Sequence, residues 1–191
     1  DASLFRVPQK RKRMILVGTL ADRPPFLFPE PPCGVTPDLF RSPESVRTTM
    51  DALGDLPEPS LDEPQSYNGP AGTTLQTFLR MGSEELHNHL GTKHSPEMVE
   101  KLEAQAIGSR LYDWNHSWYR LDPDAPSPTI KMNNRAPAVH FKAPRLISPR
   151  ECARLQTIPD RIRVAGNKTQ QLTQIGNAVP PVLAAHIGTA L

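Results

Sequence analysis

Apolar positions are sparse in this chain, and the spacing of each cluster predicts a short element. Between Arg13 and Gly18, Met14-Ile15-Leu16-Val17 is an unbroken apolar run. It is too short for a helix and lacks two-residue alternation, which predicts a buried strand. Three helix starts share one chemistry: Ser42-Pro43-Glu44, Ser95-Pro96-Glu97 and Ser148-Pro149-Arg150-Glu151. Each puts serine at the N-cap and proline at the first helical position, where its missing N–H costs nothing. The third adds Glu151 at the N3 position of a capping box. The starts lie 53 residues apart. Beyond the first few residues the segments do not align, so shared capping chemistry explains them better than an internal repeat. From Ser95, the residues Met98, Val99, Leu102 and Ala106 make one apolar stripe. From Ser148, Cys152, Leu155 and Gln156 follow until Ile158-Pro159 stops the helix. Ala138-Val139-His140-Phe141 predicts another strand, and Val182 to Leu191 an apolar helix opened by Pro180-Pro181.

Proline separates these elements. The chain has 22 prolines in 191 residues, more than twice the usual share of about 5 %. Pro24, Pro25, Pro29, Pro31, Pro32 and Pro37, with Pro43 just beyond, make residues 22–41 extended and irregular. Residues 54–74 read as loop, and Pro123, Pro126 and Pro128 break the chain after its aromatic segment. This composition excludes a coiled coil and a long helical bundle, and no apolar run approaches the ~20 residues of a membrane span. No secretory signal pattern opens the chain. Two cysteines, Cys33 and Cys152, cannot build a disulfide framework or a four-thiolate zinc site, so a reducing, cytoplasmic compartment is expected. The chain opens on Asp1 rather than Met, and a fragment or processed half is expected.

A net charge of +2 conceals strong asymmetry. Residues 1–13 carry Arg6, Lys10, Arg11, Lys12 and Arg13 against Asp1. Residues 43–63 carry six acids against Arg47, and residues 131–168 carry nine Lys or Arg against Glu151 and Asp160. Two basic blocks suit a polyanion, although charge alone fits solubilising surface equally well.

Two segments are far more specific. One is Val7-Pro8-Gln9-Lys10-Arg11-Lys12-Arg13-Met14-Ile15-Leu16-Val17-Gly18. The other runs from Arg145-Leu146-Ile147-Ser148-Pro149-Arg150-Glu151-Cys152-Ala153-Arg154-Leu155-Gln156 to Gln174-Ile175-Gly176-Asn177-Ala178-Val179-Pro180-Pro181. They resemble motif VIII (Q-x-R-x-R before a strand) and motifs IX and X of the DNA (cytosine-5) methyltransferase family, in the family's order and spacing. The resemblance implies an α/β fold: the C-terminal part of a Rossmann-like methyltransferase domain (residues 1–19 and 145–191). It also implies a mixed α+β target recognition domain inserted between them at 20–144. It implies methyl transfer from S-adenosylmethionine to C5 of cytosine in duplex DNA, in a restriction–modification setting close to the nucleoid. The family's Pro-Cys-Gln thiol loop, Glu-Asn-Val acid and Gly-rich cofactor turn all precede motif VIII. Pro32-Cys33-Gly34 follows it and has Gly where Gln belongs, so Cys33 is a poor candidate nucleophile. Thiol and acid are therefore expected from an N-terminal half. A non-catalytic DNA-recognition subunit is the alternative.

The resemblance also assigns roles. Arg13 would pair with O2 of a base flipped out of the duplex, where a fixed guanidinium stabilises charge as a thiolate adds to the ring. Arg11 and Gln9 would sit beside it, orienting Arg13 or the backbone. Gly176, Asn177 and the Ala178 backbone would form a turn under the methionine or sugar end of the cofactor. Arg145, Arg150 and Glu151 would be structural, with Arg145 bracing the recognition domain, and Cys152 would be packing. Arg120, Thr129, Lys131, Asn133, Asn134 and Arg135 are the candidates for phosphate or base contacts. Trp114, Trp118 and Tyr119 either stack on nucleotides or fill the core, the core being favoured. His87, His89 and His94 lack the spacing and partners of a metal site.

Overall fold

The computed structural model describes residues 1–33, 45–113, 118–130 and 138–191. Short helices joined by long loops dominate them. A 3-10 turn, Ala2–Phe5, opens the chain, followed by α1 (Thr49–Leu53), α2 (Thr74–Arg80) and α3 (Pro96–Ala104). Strands β1 (Tyr119–Arg120) and β2 (Ala138–Val139) come next, then α4 (Pro149–Leu155), α5 (Lys168–Asn177) and α6 (Pro181–Gly188). The two strands pair in parallel, Tyr119 opposite Ala138 and Arg120 opposite Val139, and are the one sheet among the described residues. The predicted strand at 13–18 does not form. Met14 and Leu16 are more than four-fifths exposed. A strand is held by its neighbours' hydrogen bonds, and no described segment pairs with this one. The helix start at Ser42 lies outside the described residues.

The capping reading holds at both described starts. Ser95 accepts from Met98 N above Pro96, and α3 buries Leu102 but ends at Ala104, leaving Ala106 exposed. Ser148 Oγ accepts from Glu151 N at 3.1 Å, while Glu151 Oε2 accepts from Ser148 N at 2.6 Å. α4 ends at Leu155, before the proline. Ile158 N donates to Ala153 O and Thr157 N to Arg154 O, the paired bonds of a Schellman motif. Thr157 takes the left-handed position (φ 60°) normally held by glycine. Its hydroxyl accepts from Val182 N at the start of α6, so tertiary packing holds the unfavourable conformation.

α4 lies at the centre, with α1 and α5 packed on it. The main core joins Ala52, Leu53, Leu75 and Leu79 to Ile147, Cys152, Leu155, Leu172 and Ile175, and so draws on chain from both sides of residue 144. All seven α4 residues are buried, including Arg150, Glu151 and Arg154. Arg154 forks onto Asp160 (2.6 Å from Nη2 to Oδ2) and reaches Asp55 at 2.5 Å and the Ala52 carbonyl at 3.0 Å. Arg150 donates to the carbonyls of His87, Pro159 and Ile162. Arg145 grips Glu151 with two 2.9 Å bonds and Glu58 with one of 2.6 Å. Charges taken out of water are tolerated when their donors and acceptors are matched; here carboxylates meet Arg145 and Arg154 in forked geometry, and carbonyls meet Arg150.

The histidines join this network separately. His89 Nε2 faces the Pro57 carbonyl at 2.8 Å, which only accepts, so Nε2 carries the proton and Nδ1 accepts from Ser148 Oγ. His94 Nε2 accepts from Leu146 N, and the described residues hold no cluster suited to a metal. Trp118 packs beside Leu102, Val139 and Leu146, and Tyr119 against the main core. Trp114 lies outside the described residues. No helix of the described residues is long and apolar enough to cross a membrane.

Asp160 also lies 3.7 Å from Arg150, and Asp160→Ala removes the carboxylate between two buried guanidinium groups, leaving Asp55 as the one carboxylate on Arg154. This substitution is expected to cost about 3–5 kcal/mol in urea unfolding, whereas Lys101→Ala, in an exposed pair with Glu97, should scarcely move the midpoint. Acid has a second effect. Burial raises the Glu151 carboxyl, but the Arg145 charge and hydrogen bonds outweigh it and bring it from 4.5 to about 2. Burial brings His140 from 6.5 to about 4, so its 3.7 Å contact with Glu151 is not an ion pair at neutral pH. Both groups therefore bind protons more readily in the unfolded chain. Stability should be full above about pH 6.5, fall toward pH 4 through His140, and fall between about 4.5 and 2 through Glu151. The His140 part is on the order of 2 kcal/mol between pH 7 and 5. Urea midpoints across that range should show it, and His140→Gln should reduce the slope, leaving the part due to His89 and His94, which burial also holds below 6.5.

Candidate functional site

The Q-x-R-x-R segment is bound edge-on to residues 127–130. Gln9 bridges Ser127 in parallel, Lys10 N donates to Ser127 O at 2.8 Å, and Ser127 N to Pro8 O at 3.0 Å. Beneath it, Val7 and Ala2 pack on Leu183 of α6. Gln9 is fully buried, and among the described residues both atoms of its amide lack a partner.

Arg11 is 1 % exposed and makes the decisive contacts. Its Nη2 donates to Gly176 O at 2.7 Å and Ala178 O at 3.1 Å, and its Nη1 to Ile130 O at 3.2 Å. Its own N–H is held by the Asp1 carboxylate at 3.2 Å. Burial and the neighbouring Arg13 charge lower its pKa. The carbonyls it takes are those at the C-terminal end of α5, where a helix presents unsatisfied oxygens and its negative pole. Two motifs at opposite ends of the chain are thus joined through one guanidinium.

Arg13 is exposed, and its Nη1 donates to Lys12 O at 2.9 Å. With Arg11, Phe5, Phe28, Leu183 and Ile187 it lines a cleft of about 270 Å³. The contact to the Gly-Asn segment is therefore made by Arg11 rather than Arg13, and Arg13 occupies the wall of the adjoining cleft.

Gly176 and Asn177 are the last residues of α5 and not a turn after it. Helical bonding persists because Arg11 and Gln156, whose Nε2 donates to Ile175 O at 2.6 Å, satisfy the terminal carbonyls. Both backbone groups of Ala178 are engaged: its N–H donates to the carbonyls of Gln174 and Ile175, and its carbonyl accepts from Arg11. The backbone of Ala178 thus does not fit the cofactor-binding role expected of it. Asn177, exposed at the helix end, does fit a polar contact.

The expected DNA-contact residues divide. Arg120 is a correction. It is buried, and its guanidinium donates to the carbonyls of Leu102, Glu103, Gln105 and Phe141, closing the C-terminal end of α3 instead of facing a phosphate. Thr129 spends its hydroxyl on Lys10 O at 2.5 Å. Lys131, Asn133, Asn134 and Arg135 lie outside the described residues. Both cysteines are buried and free. Burial pushes the Cys152 thiol well above its usual pKa, as befits packing. Cys33 Sγ lies 3.7 Å from Ser45 O.

Sequence reasoning missed three things: the Arg11 bridge, the Arg154–Asp160–Asp55 cluster and the Gln156 contact. Arg150 and Arg154, four apart on a helix that buries its whole circumference, were the available signal for the second. The first spans 165 residues and has no local signature.

Comparison with known proteins adds a family. The description "C-5 cytosine-specific DNA methylase" matches residues 1–191. The type II methyltransferase M.BbvI of Brevibacillus brevis is 32 % identical over 185 residues, 93 % of this chain and 43 % of the relative. M.AquIB, a type II methyltransferase of Picosynechococcus, is 31 % identical over 121 residues, 56 % of this chain and 87 % of the relative. A solved E. coli structure, described as a DNA modification methyltransferase encoded within a prophage, superposes with a TM-score of 0.64 at 25 % identity. That match covers 83 % of this chain and 50 % of the solved one. The chain spans less than half the length of M.BbvI. With its family description matched from Asp1 to Leu191, and with Arg11 of Q-x-R-x-R holding the Gly-Asn helix end, this chain belongs to the C-5 cytosine-specific DNA methylase family.

Proposed function

We propose that the chain is the C-terminal, base-facing part of an enzyme that methylates C5 of cytosine in duplex DNA as part of a restriction–modification system. The Arg11 bridge carries this reading: it ties the base-side arginine segment, which lines the cleft, to the cofactor-side helix end. Thiol, acid and glycine-rich turn come from an N-terminal half, on the same polypeptide or a second one. The intact assembly works in the cytoplasm, at the nucleoid.

S-adenosylmethionine supplies the electrophilic methyl group when bound. The residues of this chain manage position and charge around it. Arg13, on the cleft wall, pairs with O2 of the flipped cytosine. When a thiolate adds at C6, electron density moves into the ring and onto O2, and a cation held there lowers that barrier. Asn177 hydrogen-bonds the cofactor's methionine or sugar end, and Gln9, its backbone bridged to Ser127, holds the segment that presents Arg13. Lys131, Asn133, Asn134 and Arg135 offer donors for phosphates and purine edges.

The test is reconstitution. Mixed with the N-terminal half of a relative, the chain should restore incorporation of tritiated methyl groups into duplex DNA. Arg13→Ala should lower turnover by about 10²–10³-fold, and Arg13→Lys should not rescue it, because an ammonium lacks the planar fork. Wild-type turnover in Arg13→Ala would refute the assignment, and tight DNA binding without methylation would favour a recognition subunit.

A further inference from the structure

We infer that Arg11 is a positioning residue that sets the distance between the cofactor contact and the base contact, so that binding at one end is felt at the other. The inference rests on the function proposed above. A single nitrogen, Nη2, holds the carbonyls of Gly176 and Ala178, which flank Asn177 on either side. Arg11 thereby holds the peptide plane before Asn177 and the one after Ala178. The plane between them is held by Ala178 N, which donates to Gln174 O and Ile175 O, so the direction in which the Asn177 side chain leaves the helix is fixed. The other end of the guanidinium holds Ile130 O, beside the Ser127 and Thr129 contacts that bind residues 8–10. Arg13 follows two residues later and lines the same cleft.

The strut is rigid for a chemical reason. A guanidinium is planar and offers its donors at fixed angles, so three carbonyls from two segments are held in fixed directions from one group. Its backbone is held as well, with N–H on the Asp1 carboxylate and carbonyl accepting from Ala2 N at 2.9 Å. From the other side, Gln156 fixes Ile175 O, so the end of α5 is gripped by α4 and by Arg11 together. A lysine would keep the charge but could not span the same three acceptors. Misplacing a reacting group by about 1 Å can cost 10²-fold in rate.

The reconstituted complex tests this with a double-mutant cycle. Arg11→Lys and Asn177→Ala are each expected to weaken equilibrium binding of S-adenosylmethionine, measured by calorimetry, by about tenfold. Their combination should be little worse than either alone. Arg11→Lys should also lower kcat at least tenfold while the KM for DNA stays within about twofold. Additive effects on cofactor binding overturn the strut, and so does an Arg11→Lys protein that loses only unfolding midpoint while keeping cofactor affinity and kcat. Should Arg11→Met fail to assemble, the Arg11→Lys cycle still decides. Loss of turnover in Arg13→Ala together with an additive cycle overturns the strut and leaves the proposed function standing. Intact turnover in Arg13→Ala refutes the proposed function, and with it the base end of the strut.

Discussion

Three buried charged residues on a seven-residue helix govern this structure. Arg150, Glu151 and Arg154 of α4 are wholly inaccessible to water, and each is matched by partners from elsewhere in the chain. A proline-rich sequence with few apolar side chains has limited means of specifying which loop packs where. Directional ion pairs supply that specification, because a misdocked loop leaves a charge in the interior unpaired. The core around α4 is therefore small but uniquely arranged, with Asp55, Asp160, Glu58 and the Pro57 carbonyl all held in register.

The candidate site inherits its geometry from this centre. Gln156, just past α4, donates to Ile175 near the end of α5, and the next carbonyl along is already the one that Arg11 holds. Thr157 accepts from the first turn of α6, whose Leu183 and Ile187 line the cleft. A continuous path of hydrogen bonds thus runs from the ionic core to the cleft wall. Arg13 itself stands outside this path: it is exposed, and its neighbour two residues back makes the anchoring contacts.

Local chemistry was legible in the sequence. The N-caps at Ser95 and Ser148 and the Glu151 capping box follow from residue type and near neighbours, whereas the structural readings of Cys152 and Arg145 came with the resemblance. What depended on distant chain was not. Met14-Ile15-Leu16-Val17 carries the composition of a strand but lacks a paired neighbour among the described residues. Arg120 carried the expectation of a phosphate ligand and instead closes α3, because a carbonyl cluster attracts a guanidinium as well as a phosphate does. Gly176-Asn177 suggested a turn, yet carbonyl partners 165 and 19 residues away extend the helix through it.

The Arg154–Asp55 contact bears on how this chain reaches its native state. The two residues are separated by 99 positions, so the cation on α4 meets Asp160, six positions away, early, but not Asp55, just past α1, until a long loop has closed. Before closure, burying that helix would leave Arg154 with one of its two carboxylates, and loop-closure entropy must be overcome first. Completion of the ionic cluster is thereby tied to the closing of that loop.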